Sequence, residues 1–310
     1  MNNGVKVFAP ASVANVACGF DVLGFALNKP GDEIIARFSD TPGFRISKIT
    51  GDNGKLPYDI SKNTAGFAGL KLIQHLGETN KGIEIEIRKK MPFGSGLGSS
   101  AASSVAAVFA INELLRRPLS KRELLPFAVL GEQIADGAFH ADNVAPSLLG
   151  GMILIRDNSS LDVHRLPVPK GLHASVVHPH LEVLTKDARN VLSKRIDLNQ
   201  CIKQTGNIGG LIVGLYNSDF DLIKRSLTDV IIEPQRSKLI PHFYDVQNAA
   251  LDSGALGCSI SGAGPSIFAL SSSSIIAEKV GITMKETFNT YNINSDLFIS
   301  SINQEGAVLY

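Results

Sequence analysis

The chain has 310 residues and a formal net charge of +1 at pH 7, with 44% hydrophobic and 19% charged residues. This length and composition suit a globular protein of one large domain or, as we expect, two domains that share a cleft. Balanced charge without a long basic tract excludes the electrostatic footprint of a nucleic-acid or anionic-membrane partner. The three cysteines stand far apart without a C-x-x-C pair, so we expect reduced packing residues and neither a disulfide framework nor a zinc site.

Targeting signals are not apparent in the sequence. The N-terminal segment MNNGVKVFAP shows no basic stretch followed by an apolar one. No uncharged apolar stretch approaches the ~20 residues that a membrane-spanning helix needs. We therefore expect a soluble, cytoplasmic protein.

Hydrophobic periodicity predicts an irregular succession of strands and helices. Strands are predicted at residues 5–9, 32–38, 44–49, 82–88, 152–156, 173–178, 256–260, 267–270 and 297–302. Helices are predicted at residues 63–76, 99–116, 120–136, 186–193, 198–217, 220–227, 241–253 and 275–289. Pro10 is expected to end the first strand, and the polar segment 157–171 to form a domain junction. This order indicates α+β halves with antiparallel strands, not a doubly wound parallel sheet.

The most informative stretch lies between the strand at 82–88 and the helix at 99–116, and we call it the glycine loop. Its residues are Pro92, Phe93, Gly94, Ser95, Gly96, Leu97, Gly98, Ser99, Ser100, Ala101 and Ala102. Glycine admits positive φ and leaves no Cβ to obstruct an anion, and Ser99 or Ser100 can cap the helix, so amide N–H groups converge where a phosphate would sit. The alternative is a glycine-rich turn that feeds a buried helix. The strand–loop–helix context favours the phosphate site, although no Walker A lysine follows.

Polar clusters elsewhere offer candidate ligands. Asn15 and Asp21 lie beside glycines after the first strand and can hold an ammonium or hydroxyl group, or can form an Asx-turn with local hydrogen bonds only. Glu132, inside a predicted helix, is either a Mg²⁺ ligand directed at the glycine loop or a residue of a solvated helix face. His140 and Asn143 can bind a polar substrate or hydrogen-bond the backbone in a turn.

Two arginines from distant segments are candidates for binding a carboxylate. Arg189 ends the segment that begins at Thr185, and Arg236 ends Glu-Pro-Gln-Arg. A guanidinium group forms bidentate hydrogen bonds with a carboxylate that lysine cannot copy, whereas either arginine alone is more often a surface charge. A second glycine turn, at residues 261–266, either approaches the phosphates or substrate from the opposite side or closes a tight hairpin.

Taken in order, these segments resemble the GHMP small-molecule kinases and, within them, the homoserine kinases. The matching segments are residues 12–24, 92–102, 140–151, 185–189, 233–236 and 261–266. The resemblance implies an α+β, two-domain GHMP kinase fold, with a ribosomal-protein-like α/β domain at 1–165 that binds the nucleotide and a ferredoxin-like domain at 166–310 that completes the substrate site. It also implies transfer of the γ-phosphoryl group of ATP to the side-chain hydroxyl of L-homoserine, for threonine biosynthesis, by a Mg²⁺-dependent homodimer.

Roles for individual residues also follow from the resemblance. Asn15 and Asp21 would hold the amino or hydroxyl end of the substrate. The α-carboxylate would be bound by His140, Arg189 and Arg236. Thr185 would lie close to the reacting hydroxyl.

The resemblance likewise implies nucleotide and metal ligands. The glycine loop would hold the ATP phosphates, Ser100 and Glu132 would ligate Mg²⁺, and Asn63 would contact adenine. Mevalonate-kinase-like members carry a lysine where Ser12 stands here and an aspartate base where Asn143 stands. Both departures favour homoserine over mevalonate or galactose. We therefore expect Asn143 at the reaction centre and no dedicated protein base.

Two other functions stay open from the sequence. A kinase of the same superfamily could act on another short hydroxy amino acid or on a polyol, although two arginines favour a carboxylate-bearing substrate. A protein that only binds nucleotide would be expected to lose Glu132 or the Ser99–Ser100 pair, and these residues are present. RNA binding lacks a basic surface to support it.

Overall fold

Strands and helices alternate irregularly in the computed structural model, which describes residues 4–137 and 139–310. The strands are β1 (Val5–Val16), β2 (Gly19–Phe38), β3 (Gly43–Thr50), β4 (Gly82–Arg88), β5 (Met152–Asp157), β6 (Asp162–Leu166), β7 (His173–Pro179), β8 (Gly257–Ile260), β9 (Ile267–Ser271), β10 (Ser295–Ser301) and β11 (Val308–Leu309). The helices are α1 (Thr64–His75), α2 (Ser99–Leu114), α3 (Lys121–Asp136), α4 (Val144–Leu149), α5 (Thr185–Asn190), α6 (Leu198–Asn217), α7 (Phe220–Ser226), α8 (Glu233–Arg236), α9 (Phe243–Asp252) and α10 (Ser274–Thr290). None of the helices in these ranges is both long and apolar enough to cross a membrane.

The first sheet is built around the long strand β2. Its order is β11-β1-β2-β4-β3, and β5 pairs with the first part of β2 and with β6. Only the β3–β4 pair among these ladders is parallel. Helices α1, α2 and α3 pack together, and α2 lies directly on β1 and β2. Because the first turns of α2 carry only Ala, Ser and Val, this helix packs closely and is buried nearly all round.

The expectation that Pro10 ends the first strand is wrong. Strand β1 continues through Pro10 to Val16, and its register with β2 shifts between Pro10 and Ser12. A register shift is a place where a strand accommodates proline, because the ladder does not need the missing N–H there. The small residues after Pro10 therefore form a β-hairpin with the start of β2. The junction predicted at 157–171 also contains a strand, β6.

The second sheet is antiparallel, with the order β10-β7-β9-β8, and α10 and α9 pack on it. Its core is continuous with that of the first sheet, where Phe25 meets Phe268 edge-on with ring centroids 5.9 Å apart. The chain then returns to the first sheet, since β11 pairs with β1. This packing brings the loops of both halves to one cleft.

Candidate active site

A cavity of about 360 Å³ brings most of the predicted site residues together. The predicted residues that line it are Asn15, Asp21, Asn63, Phe93, Gly94, Ser95, Gly96, Gly98, Ser99, Ser100, Glu132, His140, Asn143, Thr185, Arg189 and Arg236. Four predicted residues of the described glycine loop lie outside this lining: Pro92, Leu97, Ala101 and Ala102. The last three are fully buried in the core below the loop, so they shape it without facing a ligand.

The glycine loop has a backbone conformation that other residues rarely adopt. Gly94, Gly96 and Gly98 have φ angles of 59°, 74° and 67°. Gly98 is the N-cap residue of α2, and neither Ser99 nor Ser100 caps the helix as expected, because a cap with left-handed φ suits glycine better than serine. The N–H groups of the first turn of α2 are left for a ligand, and the helix dipole favours an anion there.

The second glycine turn packs directly against the glycine loop. Ser261 Oγ donates to the Gly96 carbonyl at 2.7 Å, and the Ser266 N–H donates to the Ser95 carbonyl at 3.2 Å. A Cβ atom on Gly96 would lie 2.8 Å from the Gly264 carbonyl oxygen, so a side chain at this position would force the two segments apart. The second glycine turn therefore does more than connect two strands: it holds the glycine loop in place from the other half of the chain.

Lys89 and Asp32 form a buried ion pair beside the glycine loop. Lys89 Nζ also donates to the Ser99 carbonyl at 2.9 Å and to Ser103 Oγ at 2.7 Å, and Ser103 Oγ donates to Asp32 Oδ2 at 3.0 Å. This network fixes the first turn of α2 to β2. Sequence reasoning missed it, although Lys89 directly follows the strand that leads into the loop.

Ser100 and Glu132 line the same cavity and are the predicted metal ligands. Ser100 Oγ is buried, and no hydrogen-bond partner for it stands among the described residues. A buried hydroxyl without a partner costs about 1–3 kcal/mol, so the position suits a group that binds from solution. A hydroxyl and a carboxylate supply the oxygen ligands that Mg²⁺ prefers beside phosphates and water. The residues present therefore fit a Mg²⁺ ion.

Asp21 and Arg189, which also line the cavity, form a bidentate ion pair with N–O distances of 2.9 and 3.0 Å. His140 Nε2 lies 3.8 Å from the same carboxylate. Asn15 holds the turn that carries Asp21: its Oδ1 accepts the Asp21 N–H at 2.8 Å, and its Nδ2 donates to the Gly262 carbonyl at 2.9 Å. Asn15 therefore makes the local Asx-type hydrogen bond while Asn15 and Asp21 both line the cavity. Its second hydrogen bond connects the turn to the second half of the chain.

Arg236 is a buried residue of the same cavity lining. It donates through Nε to the Ala188 carbonyl at 3.0 Å and through Nη1 to the Gly262 carbonyl at 2.9 Å. The Phe20 ring lies under both guanidinium groups, 4.9 Å from Arg236 and 5.4 Å from Arg189. Burial, and next the charge of Arg189, lower the pKa of Arg236 to about 10, so it stays cationic at neutral pH. The two arginines therefore converge, as expected, on a Phe platform that the sequence did not reveal.

Comparison with known proteins identifies the family. Two family models match, "GHMP kinases N terminal domain" over residues 63–151 and "GHMP kinases C terminal" over residues 211–289. The chain belongs to the GHMP kinase family. Homoserine kinases of Chlorobium phaeobacteroides and Chloroherpeton thalassium are 51% and 50% identical to it, each over 98% of both chains. The resemblance predicted from the motifs is thus confirmed.

Solved structures confirm the predicted GHMP kinase fold. A homoserine kinase from Cytophaga hutchinsonii superposes with a TM-score of 0.97 at 57% identity, covering 100% of this chain and 98% of that one. A mevalonate kinase of L. major, solved with R-mevalonate, gives a TM-score of 0.74 at 16% identity, covering 97% of this chain and 98% of that one. At this lower identity the likeness shows the fold alone.

Ser12 and Asn143, the two positions that separate this GHMP kinase from the mevalonate-kinase-like pattern, are in contact. Ser12 Oγ donates to Asn143 Oδ1 at 2.8 Å. A Cβ on Gly98 would lie 2.7 Å from the same amide oxygen, so Asn143 packs on the last glycine of the loop. Neither side chain carries a charge, and a neutral hydrogen-bonded pair therefore borders the phosphate-type loop.

Asp142 lines the cavity of this GHMP kinase and was not predicted as a site residue from the sequence. It lines the cavity between His140 and Asn143, and its residue is buried. Burial raises the pKa of Asp142 to about 7, and the nearby charge of Asp21 adds to the rise. At neutral pH a large fraction of this carboxyl is protonated, which lowers the negative charge facing an incoming anion. Asp142 could have been predicted from the sequence, because it lies between the predicted site residues His140 and Asn143.

Gln204 of α6 connects the turn before Asp21 with the segment before Arg236. Its Nε2 donates to the Cys18 carbonyl at 3.0 Å and to Asp229 Oδ1 at 2.9 Å, and its Oε1 accepts the Val230 N–H at 3.0 Å. Asp229 in turn accepts the N–H group of Glu233, at the start of the helix that carries the buried arginine, at 2.9 Å. No local pattern in the sequence marks this buried glutamine.

Asn63 and Thr185, two further predicted residues, also line the cavity. Asn63 is the N-cap of α1: its Oδ1 accepts the Gly66 N–H at 3.2 Å, and its Nδ2 donates to the Pro57 carbonyl at 2.9 Å. It lines the cavity, and its contact with adenine stays a prediction. Thr185 begins α5, is exposed and faces the cavity, so its role near the reacting hydroxyl also stays a prediction.

Proposed function

We propose that the protein transfers the γ-phosphoryl group of ATP to the side-chain hydroxyl of L-homoserine and forms O-phospho-L-homoserine. The observation that carries this proposal is one cavity lined both by a phosphate-type glycine loop and by Asp21, Arg189 and Arg236. A free amino acid presents a carboxylate and an ammonium group, which this charge arrangement complements. Relatives at about half identity over nearly their whole length are named homoserine kinases.

The substrate end of the cavity would bind homoserine by both charged groups. Arg236 and Arg189 would bind the α-carboxylate, while Asp21, which pairs with Arg189, would bind the ammonium group. Asn15 orients the turn that carries the acidic ligand. Asp21 comes from residues 1–165, whereas Arg189 and Arg236 come from residues 166–310. This distribution supports a nucleotide-binding domain at 1–165 and a second domain at 166–310 that completes the substrate site.

The glycine loop and the first turn of α2 would hold the transferred phosphoryl group in line with the substrate hydroxyl. Ser100 and Glu132 would hold Mg²⁺, which supplies neutralisation of phosphate charge when it is bound. Asn143 accepts a hydrogen bond from Ser12, and an amide is not a proton acceptor of useful basicity. We propose that the hydroxyl proton passes to an oxygen of the transferred phosphoryl group or to solvent.

We further propose that the enzyme is a cytoplasmic homodimer. A role in amino-acid synthesis supports the compartment. An exposed apolar face of α6 supports the dimer.

A coupled ADP-release assay with homoserine, serine, mevalonate and galactose tests the activity. We expect turnover with homoserine in strong preference to the other three. Nucleotide binding without turnover on any substrate would replace the proposal with a binding protein. Preferred turnover of another hydroxy amino acid would keep the kinase and change its substrate.

Arg236→Ala tests the carboxylate site. The KM for homoserine should rise by roughly a hundredfold while the KM for ATP stays nearly constant, because uniform substrate binding is lost. Arg195→Ala, at an exposed position, is the matched control. A change confined to the KM for ATP would show that the carboxylate site is misassigned.

Asn143→Ala tests the mechanism without a protein base. The pH–rate profile should keep its shape, with a moderate loss in kcat. A loss beyond roughly a thousandfold together with the disappearance of a kinetic pKa would refute this mechanism.

A further inference from the structure

Helix α8 is a single turn whose first and last residues, Glu233 and Arg236, are both buried. Because these residues stand three positions apart, their side chains lie on the same face of the helix. A helix this short makes too few backbone hydrogen bonds to hold its conformation alone, so its orientation depends on tertiary contacts. Arg236 is a proposed ligand of the substrate, whereas the proposed function gives Glu233 no part.

Glu233 forms hydrogen bonds with two other elements of the second half of the chain. Its Oε2 accepts the hydroxyl of Ser259, in β8, at 2.5 Å, and its Oε1 accepts an N–H of Gln247, in α9, at 2.9 Å. Gln247 Nε2 also donates to the Cys258 carbonyl of β8 at 2.7 Å. The Glu233 N–H donates to Asp229 Oδ2 at 2.9 Å. The start of α8 is therefore bound to β8 both directly and through α9.

The end of α8 is bound to the turn that directly follows β8. Arg236 donates through Nη1 to the carbonyl of Gly262, three residues after Ser259. Two points on one helical turn thus meet two points on one continuous segment. Because the contacts stand at the two ends of the helix, α8 cannot pivot about either of them without breaking the other.

Stability alone does not explain a carboxyl group at position 233. Burial raises the pKa of Glu233 to about 7, although the hydrogen bonds from Ser259 and Gln247 favour the carboxylate. A buried carboxyl group costs free energy that an apolar side chain of similar size would avoid. The group therefore indicates a requirement for its hydrogen bonds at this position.

We infer that Glu233 is a positioning residue for the amino-acid substrate: it fixes α8 on β8 and so holds the Arg236 guanidinium group at the cavity. Glu233 lies outside the described lining of the cavity, so it acts through Arg236. This role rests on the proposed function, in which Arg236 binds the α-carboxylate. The hydrogen bonds are sufficient for it, because a protonated carboxyl group can still donate to Ser259 Oγ and accept from Gln247.

Variants of Glu233 test this role by ADP release, with homoserine titrated at saturating ATP and then the reverse. Glu233→Leu removes both side-chain hydrogen bonds, so the KM for homoserine should rise by roughly tenfold or more while the KM for ATP stays within about twofold. Glu233→Gln should keep the KM for homoserine within about threefold of the wild type, because its amide accepts from Gln247 and donates to Ser259 Oγ. Equal increases for the two variants would overturn the inference.

Two buried serines of the second sheet separate positioning from stability. Ser259 of β8 donates to Glu233, whereas Ser175 of β7 donates to the Ala277 carbonyl of α10 at 2.5 Å. Both Ser→Ala variants should be less stable in urea, since each loses a buried hydrogen bond. Ser259→Ala should also raise the KM for homoserine by roughly fivefold, whereas Ser175→Ala should leave both KM values unchanged. Equal KM values for the two serine variants would overturn the inference.

The proposed activity and the role of Glu233 can fail separately. If the wild type preferred another hydroxy amino acid, the same comparison with that amino acid would decide the role, because the α-carboxylate is the same group. If no substrate turned over, the Kd of L-homoserine from calorimetry would replace KM, with the same expected ratios between variants.

Discussion

Gln204→Leu tests whether one buried amide aligns the two halves of the substrate site. The glutamine links the turn that carries Asp21, through the Cys18 carbonyl, with Asp229 at the start of the segment that carries Arg236. Leucine keeps much of the side-chain volume but removes all the hydrogen bonds. The two ligands of the amino acid would then no longer be tied to each other.

The structure gives the expected size of the effect. The amide makes three hydrogen bonds of 2.9–3.0 Å, and its residue is buried. Asp229 keeps its backbone donors, whereas the Cys18 carbonyl and the Val230 N–H lose this partner, at about 1–3 kcal/mol for a group that stays buried. We expect unfolding to become easier by roughly 2–4 kcal/mol, and the KM for homoserine to rise at least about tenfold, which corresponds to about 1.4 kcal/mol.

The assay is ADP release with homoserine titrated at saturating ATP, and then the reverse, alongside urea unfolding. The KM for ATP should stay within about twofold, since the altered hydrogen bonds lie at the substrate end. Gln200→Leu is the matched control, one turn earlier on α6, where the exposed amide reaches the Val230 carbonyl at 3.3 Å. Equal increases in both KM values, or identical behaviour of the two variants, would refute the alignment role.

Three other changes probe single features of the site. Asp142→Asn should stabilise the protein by up to about 4 kcal/mol near pH 8 and have little effect near pH 4. The pKa of Asp142 is about 7 in the folded state and 3.8 ordinarily, so ionisation of the buried carboxyl destabilises the folded protein as the pH rises. Urea unfolding at both pH values measures the effect, and equal effects at the two pH values would contradict the prediction. Phe20→Leu should raise the KM for homoserine by roughly fivefold with the KM for ATP unchanged, and Phe20→Tyr should restore it, since each cation–π contact contributes about 0.5–2 kcal/mol; failure of tyrosine to rescue would argue against the aromatic platform. Ser100→Ala should weaken ADP binding, measured by calorimetry, when Mg²⁺ is present and leave ADP binding unchanged when a chelator removes Mg²⁺. Ser104→Ala, one turn further along α2, should change neither affinity. Equal losses with and without Mg²⁺ would show that Ser100 is not a Mg²⁺ ligand.

Local patterns predicted most of the elements. The alternation of Ile83, Ile85 and Ile87 predicted β4 with its observed bounds, and the pattern at 198–217 predicted α6 with its observed bounds. The helix predicted at 120–136 is present as α3, and a capping box of Ser120 and Glu123 begins it. These predictions succeeded because periodicity and capping act over a few residues.

Four short elements were missed for the opposite reason. Helices α4 and α8 and strands β6 and β11 have few residues, and their positions depend on pairing or packing with distant segments. Strand β11, for instance, exists through its pairing with β1 at the other end of the chain. The sequence patterns of these four elements did not reveal them, because their structure depends on those distant partners.

By itself the sequence determined the glycine loop, the family and the polar residues that face the cavity, because each belongs to a short motif with its own chemistry. Only the tertiary structure decided how those motifs are supported. The pairing of Lys89 with Asp32 spans 57 residues, and the contact of Gln204 with Cys18 spans 186. Such partners meet only after the sheets and helices have packed, and burial then gives each contact its strength and shifts the pKa of Asp142 and Arg236.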